Sequence, residues 1–212
     1  GAVASIDILS PHETDVLGDA LLVDRIVAEA PDVFGLSLYL WNVERSLALA
    51  REVKRRSPRT TIVVGGPEVS EDAGPVLDEG GYDVAVSGEA EPTFDALLTA
   101  LVRGEDPSRL PGVSVRRAGV ATRFNPAPPA DFALDSYPSP YLEGVVPIDG
   151  RRPTYVETVR GCRSQCTFCF YPRSSASLRS LDPAASARLI ASLAERGARD
   201  VVFLDPTFNH RP

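Results

Sequence analysis

Methionine is absent from all 212 residues, including position 1, and the chain holds just one tryptophan, two histidines and three cysteines. A chain with no initiating methionine, stopping at Pro212 just after a strand-like segment, is expected to be a fragment of a longer polypeptide. No stretch approaches the ~20 apolar residues that a membrane span needs, and no charged, apolar, small-residue signal pattern opens the chain. The expected compartment is therefore the cytoplasm. The net charge is −7, and the densest basic run, 51–59, fits the end of a solvated helix, so a direct nucleic-acid partner is not expected. Neither G-x-G-x-x-G after a first strand nor G-x-x-x-x-G-K-[ST] occurs, which disfavours a dinucleotide or triphosphate site. Internal repeats and low-complexity tracts are also lacking.

What is present is a regular alternation. Apolar runs at 3–9, 33–40, 61–64 and 83–86 have strand length, and the stretches 15–30, 43–56, 69–79 and 93–103 have helical spacing. That order predicts an α/β fold with a parallel, flavodoxin- or Rossmann-like sheet over residues 1–104. Ligands on such sheets bind beyond the carboxyl ends of the strands. The loops there read Ser10-Pro11-His12, Trp41-Asn42, Gly65-Gly66-Pro67-Glu68 and Ser87-Gly88-Glu89. Glycines without a Cβ let backbone approach a bulky ligand, and they serve equally in tight strand-to-helix turns.

From 105 to 153 the character changes. Residues 112–117 and 120–124, joined through Ala118-Gly119, predict a small hairpin, and the proline-rich stretch 125–153 predicts a linker. A second domain, 154–212, is predicted as strand 154–159, a loop, helix 183–196 with Asp182 as N-cap and Gly197 past its end, and strand 200–204. This is the first β/α portion of a partial TIM-type barrel, whose functional loops also follow the strands.

All three cysteines fall in that first loop, as Cys162-x3-Cys166-x2-Cys169. A structural disulfide set would be even in number and dispersed. Three thiolates can hold three irons of a cubane and leave the fourth open. Zinc would need a fourth ligand, for which His12 and His210 are the only histidines, and a ferredoxin cluster would need a fourth cysteine. A redox pair of Cys166 and Cys169 would leave Cys162 unexplained. The spacing favours the open cluster.

These cysteines, with Phe168 before the last of them, resemble the signature of the radical S-adenosylmethionine superfamily. The lead-in Arg160-Gly161-Cys162 and the approach Tyr137-Pro138-Ser139-Pro140-Tyr141 resemble its branch with an N-terminal cobalamin-binding domain. The resemblance implies that Cys162, Cys166 and Cys169 ligate a [4Fe–4S] cluster whose fourth iron binds S-adenosylmethionine. It further implies reductive cleavage to a 5′-deoxyadenosyl radical, fed by an external flavodoxin- or ferredoxin-like one-electron reductant. Phe168, Asp205 and Asn209 are the implied S-adenosylmethionine contacts, although 205–209 is not the Gly-Gly-Glu form. Ser37, Tyr39, Trp41, Gly65, Gly66, Gly88 and Glu89 are the implied cobalamin contacts. His12 is outside the D-x-H-x-x-G arrangement that supplies an axial histidine, so cobalamin is expected base-off without a histidine ligand. The implied activity is methyl transfer to an unactivated centre. A radical cyclisation, rearrangement or oxidation beside a vestigial cobalamin domain, and a non-catalytic corrinoid- or metal-binding module, stand as alternatives.

Overall fold

A computed structural model describes residues 5–69, 78, 80–117, 125–127, 130–164, 166–169, 171 and 178–208, without the side chains of Pro11 and His12. The chain divides into two compact units, Gly1–Pro128 and Pro129–Pro212.

In the first unit, strands β1 (Val33–Ser37), β2 (Thr61–Gly65) and β3 (Val84–Val86) run parallel, and β4 (Val113–Val115) closes the order β1-β2-β3-β4 antiparallel to β3. β2 is a continuous β-branched run buried on both faces, as a central parallel strand must be. Its alternating side chains face opposite layers. Ile62 and Val64 join the cluster built from α2 (Asp19–Glu29) and α3 (Val43–Arg56), whereas Val63 packs with Leu97 of α4 (Glu91–Arg103). α3 turns Val43, Leu47, Ala50 and Val53 inward, and its last turn carries Lys54, Arg55 and Arg56, favourable at the negative end of the helix dipole. The register Ser37↔Gly65 sets the ends of β1 and β2 side by side.

The parallel α/β expectation is borne out, with three local corrections. Residues 5–9 form no strand, because alternation needs a face to bury and a ladder partner, and here Ile6 and Ile8 are 70% and 49% exposed. Ser10-Pro11-His12 is not a loop but the start of a short helix α1 (Pro11–Val16), closed by a capping box between Ser10 and Glu13. A break at Leu17-Gly18 separates α1 from α2, dividing the single helix expected over 15–30. The helix expected at 69–79 and the hairpin strand at 120–124 lie mostly or wholly outside the described residues.

The stretch 105–153 is also shared between the units, with the division at Pro128 and Pro129. Asn125 explains the first half of that division. Its Nδ2 donates to the Ser108 and Val113 carbonyls at 2.8 and 2.7 Å, and its backbone N–H donates to Ser114 Oγ at 3.0 Å.

In the second unit, β5 (Thr154–Val156) and β8 (Val201–Phe203) pair in parallel across α5 (Pro183–Glu195), a single β/α/β turn. Leu189 and Leu193 of α5, four residues apart, pack on Val156 and Val201. β6 (Val159–Arg160) and β7 (Arg179–Ser180) make a separate two-residue antiparallel ladder. The strand expected over 154–159 is thus broken, since the amides of Thr158 and Val159 donate to the Asp205 carboxylate instead of a neighbouring strand. Asp182 caps α5 as expected, accepting from the Ala184 and Ala185 amides at 2.9 and 3.3 Å. Asp182→Ala is expected to cost about 1 kcal/mol in urea unfolding of the chain, and an unchanged midpoint would show that the cap contributes nothing. Among the described residues, no helix is long and apolar enough to cross a membrane.

Candidate functional site

At the carboxyl edge of the first sheet, the chain leaving β1 is tied tightly to the chain leaving β2. The Leu38 amide donates to the Gly65 carbonyl at 2.7 Å, and the Glu68 amide donates to the Leu38 carbonyl at 3.2 Å. Gly66 sits at φ +99°, and a Cβ there would lie 2.7 Å from Leu38 O and 3.0 Å from Ser37 Oγ. Only glycine fits that turn. Gly65 is different, since its Cβ would meet nothing nearer than Val86 O at 3.5 Å.

The next residues form a pinned aromatic projection. Asn42 Oδ1 accepts the Tyr39 amide at 2.8 Å while Asn42 Nδ2 donates to the Ser37 carbonyl at 3.0 Å. Tyr39 and Trp41 stack with centroids 4.6 Å apart and planes 16° off parallel. Leu40 and Trp41, two large apolar side chains side by side on an anchored loop, are 79% and 80% exposed. Asn42 was named in the sequence only as part of a loop; its place three residues past the aromatic Tyr39 is the signal that it orders that loop. Glu89 is half-buried after β3, whereas Gly88, at φ +77°, is set by its neighbour: a Cβ would lie 2.5 Å from Ala127 Cβ. Gly88 therefore serves the packing of the 125–127 segment. The side chain of His12 lies outside the described residues.

In the second unit the cysteine loop begins directly after β6. All three cysteines are free thiols, with Cys162 partly covered and Cys166 and Cys169 exposed. The Cys169 amide donates to the Cys166 carbonyl at 3.0 Å, folding those two positions into one turn. Gly161, at φ +96°, lets the chain turn into the loop, and its amide donates to the Tyr171 hydroxyl at 3.3 Å. The Thr207 hydroxyl donates to Cys162 Sγ at 3.5 Å, and with the Ser164 amide it holds the Cys162 thiol below its ordinary pKa against partial desolvation.

The donor set fits an iron–sulfur cubane with one open iron, because it offers three accessible thiols on one short loop and none is lost to a disulfide. Among the described residues no three His, Cys, Asp or Glu side chains are already gathered as a metal cage, so the metal itself would complete the geometry. Phe168 is 91% exposed. Asp205 is committed elsewhere: its carboxylate accepts the Thr158 amide at 2.6 Å, the Thr158 hydroxyl at 2.5 Å and the Val159 amide at 2.9 Å. A direct contact from Asp205 to S-adenosylmethionine would compete with those three bonds. Asn209 and His210 lie outside the described residues. Thr207 was passed over in the sequence as part of the strand-end turn, and only the folded pairing of that turn with Cys162 reveals it.

Residues 4–98 match the family model described as the B12 binding domain. The chain is 37% identical over 195 residues to a 2-(S-pantetheinyl)-carbapenam-3-carboxylate methyltransferase of Streptantibioticus cattleyicolor, covering 86% of this chain and 28% of that protein. It is 36% identical over 206 residues to the cobalamin-dependent radical SAM methyltransferase TokK of Streptomyces tokunonensis, covering 90% of this chain and 29% of that one. The chain thus spans less than a third of these relatives. Its fold matches the cobalamin-dependent S-adenosylmethionine radical enzyme OxsB, solved with aqua-cobalamin and S-adenosylmethionine, with a TM-score of 0.74 at 18% identity over 92% of this chain and 28% of that one.

Proposed function

We propose, from the premise that this chain belongs to the radical S-adenosylmethionine branch with an N-terminal B12-binding domain, that its protein is a cobalamin-dependent radical methyltransferase. The observation that carries the reading is the free-thiol set Cys162, Cys166 and Cys169 downstream of a cobalamin-type sheet. When bound, the cluster, S-adenosylmethionine and cobalamin supply the one-electron cleavage, the hydrogen-abstracting radical and the methyl group.

The chain's own residues bind and orient. Cys162, Cys166 and Cys169 supply three thiolates and offer no fourth, which leaves an open position on the cluster for the amino and carboxylate groups of S-adenosylmethionine. Exposed Phe168, between Cys166 and Cys169, is available to pack against its adenine. In the first unit, Ser37, Gly65 and Gly66 form the edge that faces a corrin. Trp41, backed by Tyr39, offers it a flat apolar face, with no histidine ligand from the chain. Glu89 and Gly88 border the same carboxyl edge. A flavodoxin- or ferredoxin-like protein in the cytoplasm supplies the electron.

The test is anaerobic iron–sulfide reconstitution followed by electron paramagnetic resonance of the reduced protein, with and without S-adenosylmethionine, and a hydroxocobalamin titration read by fluorescence of Trp41. A [4Fe–4S] signal altered by S-adenosylmethionine, together with saturable quenching of Trp41, is expected. Stoichiometric zinc in place of the cluster would overturn the radical reading, and unquenched fluorescence would overturn the cobalamin reading.

A further inference from the structure

The turn after β8 touches both the backbone that leads into the cysteine loop and the loop's first cysteine. Asp205 gathers Thr158 and Val159 through three hydrogen bonds, and Thr207, two residues on, donates its hydroxyl to Cys162 Sγ at 3.5 Å. Cys162 also differs in exposure from Cys166 and Cys169, being the partly covered one. One strand end therefore fixes both the backbone that leads into the loop and the sulfur of its first cysteine.

A hydroxyl aimed at a thiolate sulfur stabilises negative charge there. Reduction of an iron–sulfur cluster adds an electron that is shared with its ligand sulfurs, and hydrogen bonds to those sulfurs are among the determinants of cluster potential. A donor favours the reduced state and raises the potential; its removal lowers it. The donor must also be held in place, and the Asp205 clamp keeps the 205–207 turn against residues 158–159.

We propose that Thr207 is a positioning residue for the iron–sulfur centre, its hydroxyl hydrogen-bonding the Cys162 sulfur and so raising the reduction potential of the cluster that Cys162 ligates. The assignment rests on the reading of Cys162 as a cluster ligand. It is independent of which substrate the protein acts on.

The measurement is the cluster's midpoint potential, from a redox titration monitored by electron paramagnetic resonance on the full protein, in wild type, Thr207→Val and Thr207→Ser. Valine keeps the shape and removes the donor, and serine keeps the donor and removes a methyl group. A more negative potential in Thr207→Val, with Thr207→Ser close to wild type at equal iron content, is the expected result. Loss of the cluster from the valine variant but not the serine variant also supports the assignment, because the hydroxyl alone distinguishes them. Equal potentials in all three proteins overturn it, as does an equal shift or an equal loss of cluster in both variants, which would trace the effect to packing. A wild type that takes up no cluster overturns the underlying reading and this assignment together, whereas a wild-type cluster indifferent to Thr207 overturns the assignment alone.

Discussion

Cys166→Ala is expected to abolish the [4Fe–4S] signal of the reconstituted protein, and Cys162→Ala and Cys169→Ala are expected to abolish it as well. The argument is one of supply: the sequence has three cysteines, all in one loop, and a cubane with one open iron uses three. Changes to outer-shell partners of metal sites cost roughly 10–100-fold in metal affinity, and losing a ligand outright should exceed that. Cys166 is exposed and its carbonyl, not its sulfur, receives the Cys169 amide, so alanine leaves the local turn intact. Circular dichroism of the variant should accordingly match wild type while iron content and the resonance signal fall to background. Full iron content in any one of the three variants would remove that cysteine from the ligand set.

Gly66→Ala is expected to destabilise the first unit by about 3 kcal/mol, the combined cost of a left-handed-region φ for a residue with a Cβ and of a collision with backbone. The atoms that a Cβ would meet at 2.7 and 2.9 Å are the carbonyl oxygen and amide nitrogen of Leu38, which cannot rotate away as a side-chain tip could. Both belong to the bonds joining the ends of β1 and β2, so relief of the collision would pull Ser37 and the Tyr39–Trp41 stack out of place. Gly65→Ala supplies the contrast. Its Cβ would sit at an ordinary 3.5 Å from Val86 O, and the change should stay within about 1 kcal/mol. Urea unfolding with Trp41 fluorescence reports on this unit, and equal midpoints for the two variants would show that the strain argument is wrong.

The parts of the fold legible in the sequence are those whose causes are local. Helix α3 was expected at its observed bounds because apolar residues recur at helical spacing from Val43 to Val53, and α5 was marked by Asp182 and Gly197 at its ends. The buried β2 announced itself as Ile62-Val63-Val64. Features that depend on partners distant in sequence were not legible. Residues 5–9 alternate like a strand yet lack a ladder, β4 joins the sheet by pairing with β3 across an intervening helix, and 154–159 is interrupted by a carboxylate 47 residues away. The candidate site divides along the same line. The cysteine spacing and the Gly65-Gly66 turn could be read directly, whereas the separate duties of Gly65 and Gly66, the commitment of Asp205 and the bond from Thr207 to Cys162 exist only after folding.

The short ladder between β6 and β7 pairs Val159 with Ser180 and Arg160 with Arg179, so the cysteine loop enters and leaves through a neck already closed. Much of the entropy of bringing the loop ends together is therefore lost during folding rather than during metal uptake. If one thiolate captured iron, the other two would meet it as tethered groups at high effective concentration, in the way that linked binding modules make a second encounter intramolecular.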